Sequence, residues 1–240
     1  MILMRLIVSA FILGMLVLLL CLPGLWRAAD RRNILWGALL VFCNIAAAWA
    51  PLDKWTSQML ALLASVAAIA LLMRLGGWKR AEFGLRAGFN PGTGRDVGRC
   101  LLPLILVESA VLWALVPGGQ PALEYHLFQL TMPGLTEELA FRGVLLALLD
   151  RAFAGRVRVL GADMGWGAVA SSLVFGLCHG LRVSPDLHVA LQLLPMAIPT
   201  VGRFVLAWCR ARSGSLLLPI FVHSGMNEAA QLVAVAKALL

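Results

Sequence analysis

The stretch LFQLTMPGLTEELAFRGVLLALL, Leu127 to Leu149, decides how the whole chain is read. At a rise of about 1.5 Å per residue, a helix of this length crosses a hydrocarbon core about 30 Å thick. It also holds Glu137, Glu138 and Arg142. An ionisable side chain at membrane depth costs about 2.5–3.5 kcal/mol on insertion scales, so three in one span mark either a structural network or a working site. Glu138 and Arg142 are i and i+4 with the acid first, the favourable order for an ion pair on one helix face. Glu137 is turned away by about 100° and has no such partner on its own helix. The spacing therefore predicts a division of labour in which the pair orients and the free carboxylate does chemistry.

The rest of the chain supports a membrane reading. Of 240 residues, 61% are apolar and 13% charged, with a mean hydropathy of +0.88, whereas soluble domains carry about 25% charge. Further apolar runs predict spans at about 6–25, 33–50, 58–73, 100–116, 127–149, 164–181, 188–208 and 215–236. The expected fold is an all-α, polytopic transmembrane bundle of about eight helices forming a single membrane domain over 1–240. Long apolar runs without dyad alternation argue against a β-barrel. The first run has only Arg5 before it and no small-residue cleavage site, so it reads as a retained helix and not a signal peptide. The five cysteines have no metal-type spacing. The gap from Arg74 to Arg99 is broken by glycines and predicts a segment along the headgroup surface, with Trp78, Phe83, Leu85 and Phe89 dipping into the interface.

Charge sets the expected orientation. Fourteen Lys and Arg fall in alternate gaps: Arg27 to Arg32, Arg74 to Arg99, Arg151 to Arg158, and Arg210 with Arg212; the opposite gaps hold only Arg5, Lys54, Arg182 and Lys237. This asymmetry predicts the basic side in the cytoplasm and both termini outside it, in a bacterial inner or plasma membrane. The net charge of +8 is scattered through these gaps, so no nucleic-acid partner is expected.

Two other spans carry polar residues. Phe175-Gly-Leu-Cys-His179 places His179 near the end of the sixth span, with Phe175 one turn earlier on the same face. In the last span His223 and Asn227 are i and i+4 and share a face. Three helices can then converge on one polar pocket, in which a carboxylate and an imidazole share a water and His223 with Asn227 meets a developing oxyanion.

Glu137-Glu138-x-x-x-Arg142, Phe175-x-x-x-His179 and His223-x-x-x-Asn227 resemble, in kind, order and spacing, the three motifs of the CPBP family of CAAX-protease and bacteriocin-processing intramembrane proteases, also called Abi proteins. The resemblance covers about 127–237. It implies an intramembrane endopeptidase with Glu137 as catalytic glutamate, His179 as its partner on water, His223 and Asn227 as the oxyanion pair, and Glu138, Arg142 and Phe175 in support. It implies hydrolysis with no cofactor, with zinc on Glu137, His179 and His223 as the alternative; the His-Glu-x-x-His pattern of zinc peptidases is absent. The expected partners are the lipid bilayer and a membrane-anchored protein or peptide substrate, such as a carboxy-terminal sorting segment of an exported protein. The competing reading is a non-catalytic scaffold or bacteriocin-immunity protein that keeps the fold; a transporter is disfavoured because no inverted repeat is visible.

Overall fold

A computed structural model describes residues 2–22, 28–184 and 186–240; Arg27 and positions 23–25 of the first expected span lie outside the described residues. The chain is predominantly helical. Helices α1 (Ile2–Leu20), α2 (Ala28–Ala48), α3 (Lys54–Gly76) and α4 (Thr93–Leu115) form the first half. In the second, α5 (Leu123–Glu138) continues through a π-helical segment (Leu139–Leu145) into α6 (Leu146–Ala152), followed by α7 (Trp166–Gly180), α8 (Leu193–Ser213) and α9 (Leu217–Leu239). Each expected span thus finds a helix, the one at 164–181 a short one. Two of them, Lys54–Gly76 and Thr93–Leu115, are long and apolar enough to cross a membrane by length and composition alone.

The helical expectation holds for most of the chain, with one addition. Two short antiparallel hairpins interrupt the helices: β1 (Arg156–Val159) with β2 (Ala162–Gly165), and β3 (Leu181–Val183) with β4 (Val189–Leu191). The first turns through Leu160 and Gly161, at φ 45° and 84°, the paired left-handed conformations that a two-residue hairpin turn requires. The second follows α7 directly, so α7 is only 15 residues long. Helical periodicity gives no hint of either hairpin.

The 74–99 segment also departs from expectation. Gly77, at φ 64°, ends α3, and a 3₁₀ turn at Arg80–Phe83 ends on Gly84 at φ 73°. Between these left-handed glycines the chain folds back onto the bundle. Trp78 and Phe83 are buried, stacked at 5.4 Å, in a core cluster with Ile69, Leu139, Val144 and Leu148. Of the four residues expected at the interface only Phe89 is well exposed.

The continuous α5–π–α6 rod is the axis of the molecule. All seven π-helical residues are buried, and the rod contributes to three apolar clusters that face α1, α2 and α7, then α2 and α3, then α4 and α8. Helix ends alternate between two ends of the bundle. Trp166 Nε1 donates to Leu20 O at 3.0 Å, Arg151 pairs with Glu82 and Arg212 with Asp96, each at 2.6 Å, and Asn90 Nδ2 donates to Arg212 O. The described basic residues of the four crowded gaps gather at this end. At the other, Lys54 pairs with Glu124 at 2.7 Å and Lys237 Nζ donates to Trp113 O and Val116 O. Arg151 and Arg212 thus mark one end of the bundle and Lys54 and Lys237 the other.

Candidate active site

Close helix contacts bring the polar residues of the three motifs to one depth. Gly134 lies against α9, where a Cβ would collide with Ser224 Oγ; one turn on, Glu138 reaches His223. Gly176 and Gly180 do the same for α7 and α8: a Cβ at Gly176 would overlap Thr200 Oγ1, and one at Gly180 would sit 2.8 Å from Gln192 O. Small residues at this spacing let membrane helices touch backbone to backbone. Because α7 stops at Gly180 and the β3–β4 hairpin takes over, His179 is not at the far end of a full-length span.

Glu138 meets Arg142 as the i,i+4 spacing predicts, but Glu137 is not free. Glu138 is fully buried; its Oε2 lies 3.4 Å from Arg142 Nε and its Oε1 lies 3.0 Å from His223 Nδ1. Neither Glu138 Oε2 nor Arg142 Nε has a well-formed hydrogen bond, so that contact is charge pairing. Glu137, with 24% of its side chain exposed, pairs through Oε2 with Arg203 Nη2 at 2.9 Å and lies 3.6 Å from His223 Nε2. Arg203, from α8, is the residue that sequence reasoning missed. Its Nη2 is 2.6 Å from His223 Nε2, its Nη1 is 3.5 Å from Glu138 Oε1, and its Cζ lies 3.9 Å from the centre of the Phe175 ring. Arg142 Nη2 donates to Arg203 O at 2.7 Å, so the Glu138–Arg142 pair also fixes the backbone that presents Arg203. The available signal was position: an arginine inside an apolar span is a site candidate by default.

A cavity of about 300 Å³ opens beside this network, lined by Trp49, Gln58, Glu137, Phe175, His179 and Arg182 among others. Trp49 and Arg182 belong to the end poor in basic residues. His179 is exposed to the cavity, stacks on Phe175 with centroids 4.5 Å apart, and bonds through Nδ1 to Phe175 O at 3.0 Å. An acceptor at Nδ1 assigns the proton there and leaves Nε2 with its lone pair. Phe175 in turn meets Phe141 edge-on at 5.0 Å. Glu137 and His179 therefore share a water-accessible cavity, although the direct partners of Glu137 are Arg203 and His223.

Asn227 stands apart: its Nδ2 donates to Gln129 Oε1 on α5 at 3.1 Å. Next to it Glu228 pairs with His126 at 2.6 Å. For zinc, the residues fit poorly. Among the described residues no three His, Cys, Asp or Glu side chains are gathered as a ligand set. Arg203 also places a cation within hydrogen-bond distance of both Glu137 and His223, where a divalent ion on that pair would meet it.

Residues 119–229 match the family model described as Type II CAAX prenyl endopeptidase Rce1-like. The matched segment contains all three motifs and Arg203. No curated protein and no solved structure matches the chain.

Proposed function

We propose, on the premise that the motif-bearing segment of this chain belongs to the Rce1-like family of type II CAAX prenyl endopeptidases, that the protein is a polytopic intramembrane peptidase. Glu137 takes a proton from a water in the cavity it shares with His179, and the water oxygen adds to a peptide carbonyl. The resulting oxyanion is met from the side of α8, which carries Arg203, and α9, which carries His223 and, one turn on, Asn227; proton return to the leaving nitrogen completes hydrolysis. No step requires a metal, and the arginine seated between Glu137 and His223 supports a metal-free reaction.

The observation that carries this reading is the contrast in access: Glu137 faces the cavity, whereas the adjacent Glu138 is sealed at 0% exposure against Arg142, His223 and Arg203. A scaffold has no use for that distinction. Because the cavity is lined from the end poor in basic residues, the positive-inside rule supports an extracytoplasmic opening and both termini on that side. Such an opening suits a carboxy-terminal sorting segment of an exported, membrane-anchored protein better than a cytoplasmic prenylated one.

The test uses the full chain in liposomes with membrane-anchored peptides bearing carboxy-terminal apolar segments, and new termini are mapped by mass spectrometry. Cleavage that is lost in Glu137→Gln and unchanged by strong chelators is the expected result. Cleavage that survives in Glu137→Gln overturns the assignment of the base. Activity abolished by chelation and restored with one zinc per chain overturns the metal-free mechanism while keeping the peptidase.

A further inference from the structure

We propose that Arg203 is a catalytic residue of this site and supplies the oxyanion hydrogen bond that the motif pattern alone would give to His223. The inference rests on the peptidase reading above. It starts from the proton inventory of His223. Nδ1 lies 3.0 Å from Glu138 Oε1, and Glu138 faces Arg142 and Arg203 as a carboxylate, which only accepts; Nδ1 therefore carries the ring proton. Nε2 lies 2.6 Å from Arg203 Nη2, and a guanidinium only donates; Nε2 is therefore a lone pair. A neutral imidazole in this tautomer has no N–H to offer an anion at Nε2. Its role is to hold Arg203.

Arg203 has the donors that His223 lacks. Nη2 serves Glu137 and His223, Nη1 makes only the long 3.5 Å contact to Glu138, and Nε is buried with no partner at all. A buried donor left unpaired in a native site calls for an explanation, and a donor supply that exceeds the resident acceptors is what a transient anion needs. The guanidinium is also held in place: it is stacked over Phe175, which lines the cavity and whose ring meets Phe141 and His179, and its backbone is fixed by Arg142. Preorganised charge of this kind stabilises a developing oxyanion without reorganisation during the reaction.

Glu137 accepts one proton from water as the water oxygen bonds to the carbonyl carbon, and the carbonyl π pair moves to its oxygen, which Arg203 meets. Collapse of the intermediate returns that pair to the C–O bond and breaks C–N, while the proton held by Glu137 passes to the departing nitrogen. One peptide and one water give one carboxylic acid and one amine.

The experiment compares wild type, Arg203→Met and Arg203→Lys in liposomes. The substrate is the membrane-anchored peptide that the wild type cleaves, and the inhibitor is its phosphinate analogue, which replaces the scissile amide with a tetrahedral anion. Arg203→Met should lower kcat by about 10²–10³-fold, the scale of one lost oxyanion donor. It should weaken phosphinate binding by the same factor and leave KM within about threefold. Arg203→Lys should recover part of both kcat and phosphinate affinity. If Arg203→Met does not fold, Arg203→Lys decides alone: parallel losses in kcat and phosphinate affinity support the assignment. In either variant, a fall in kcat without a matching fall in phosphinate affinity overturns it, as does unchanged turnover. Cleavage unaffected in both variants overturns this inference alone, whereas no cleavage by wild type overturns the peptidase reading and this inference with it.

Discussion

Two clusters of the molecule are built from the same residue types and do different things. At mid-depth, Glu137, Glu138, Arg142 and Arg203 form one network, within which Glu138 and Arg142 are wholly buried. At the basic end, Glu82 pairs with Arg151, both more than a third exposed, and Asp96 pairs with Arg212, about as covered as Glu137 with Arg203 but closed into no wider network with a second acid. Exposed pairs are screened by water and contribute little; buried ones must satisfy one another, and removing one partner strands the other. The belt ties helix ends to one another, while the interior network seals Glu138 and leaves Glu137 facing the cavity.

The sharpest way to break that comparison is Glu137→Gln. It removes the general base while keeping the shape and one acceptor oxygen, so turnover should fall by about 10²–10⁴-fold with the thermal transition within a few degrees of wild type. A large loss of folded protein in detergent would show that Glu137 belongs with the structural half of the network.

Glu138→Gln is the reverse case. It leaves Arg142 buried against a neutral amide and removes the acceptor that sets the tautomer of His223, so stability should drop by about 3–5 kcal/mol, and activity with it. Denaturant titration of both variants checks the division: equal stability losses for Glu137→Gln and Glu138→Gln would erase the difference between the two positions.

How much of this was legible in the sequence follows the same line between local and tertiary cause. The helices, their alternation and the Glu138–Arg142 pair follow from hydropathy and i,i+4 spacing, which are local. The partner of Glu137 was not legible, because Arg203 is 66 residues away along the chain and tertiary contacts of α8, including the bond from Arg142 to its backbone, bring it in. The burial of Trp78 and Phe83 was hidden for a similar reason: the segment carries the glycines of a surface loop, but two left-handed positions turn its aromatics inward. The π-helical segment, with its wider turn, follows directly after Glu138, a deviation associated with functional sites that no periodicity count would reveal.

A third prediction probes the contact that sets His179. Gly176→Ala adds a single methyl group where Thr200 Oγ1 already stands, so α7 and α8 must separate slightly and carry Phe175 and His179 away from Glu137. A displacement of about 1 Å at a reacting group costs about 10²-fold in rate, with KM much less affected. Steady-state kinetics on the folded variant measures it, and wild-type turnover would show that His179 needs no such close placement.

The smallest effect belongs to the belt and tests it by pH. Glu82 lies in the loop after α3, outside the expected spans, where its Oε2 accepts from Lys79 N at 2.7 Å and its Oε1 pairs with Arg151 at 2.6 Å. Partial burial pulls its acidity the other way, but the Lys79 N–H and the Arg151 charge together hold its carboxyl below the ordinary glutamate range. A carboxyl lowered in the fold adds stability above its unfolded pKa, about 4.3, and loses that stability as pH falls through its folded value. Glu82→Gln should therefore cost at most about 1 kcal/mol at pH 7, the upper end for an exposed pair. The difference from wild type should shrink steadily below about pH 4.3 and be reduced by high salt. Melting curves of both proteins from pH 7 to pH 3 make the comparison. A gap that persists at low pH would assign Glu82 to the class of buried, structural acids and move the boundary between the two clusters.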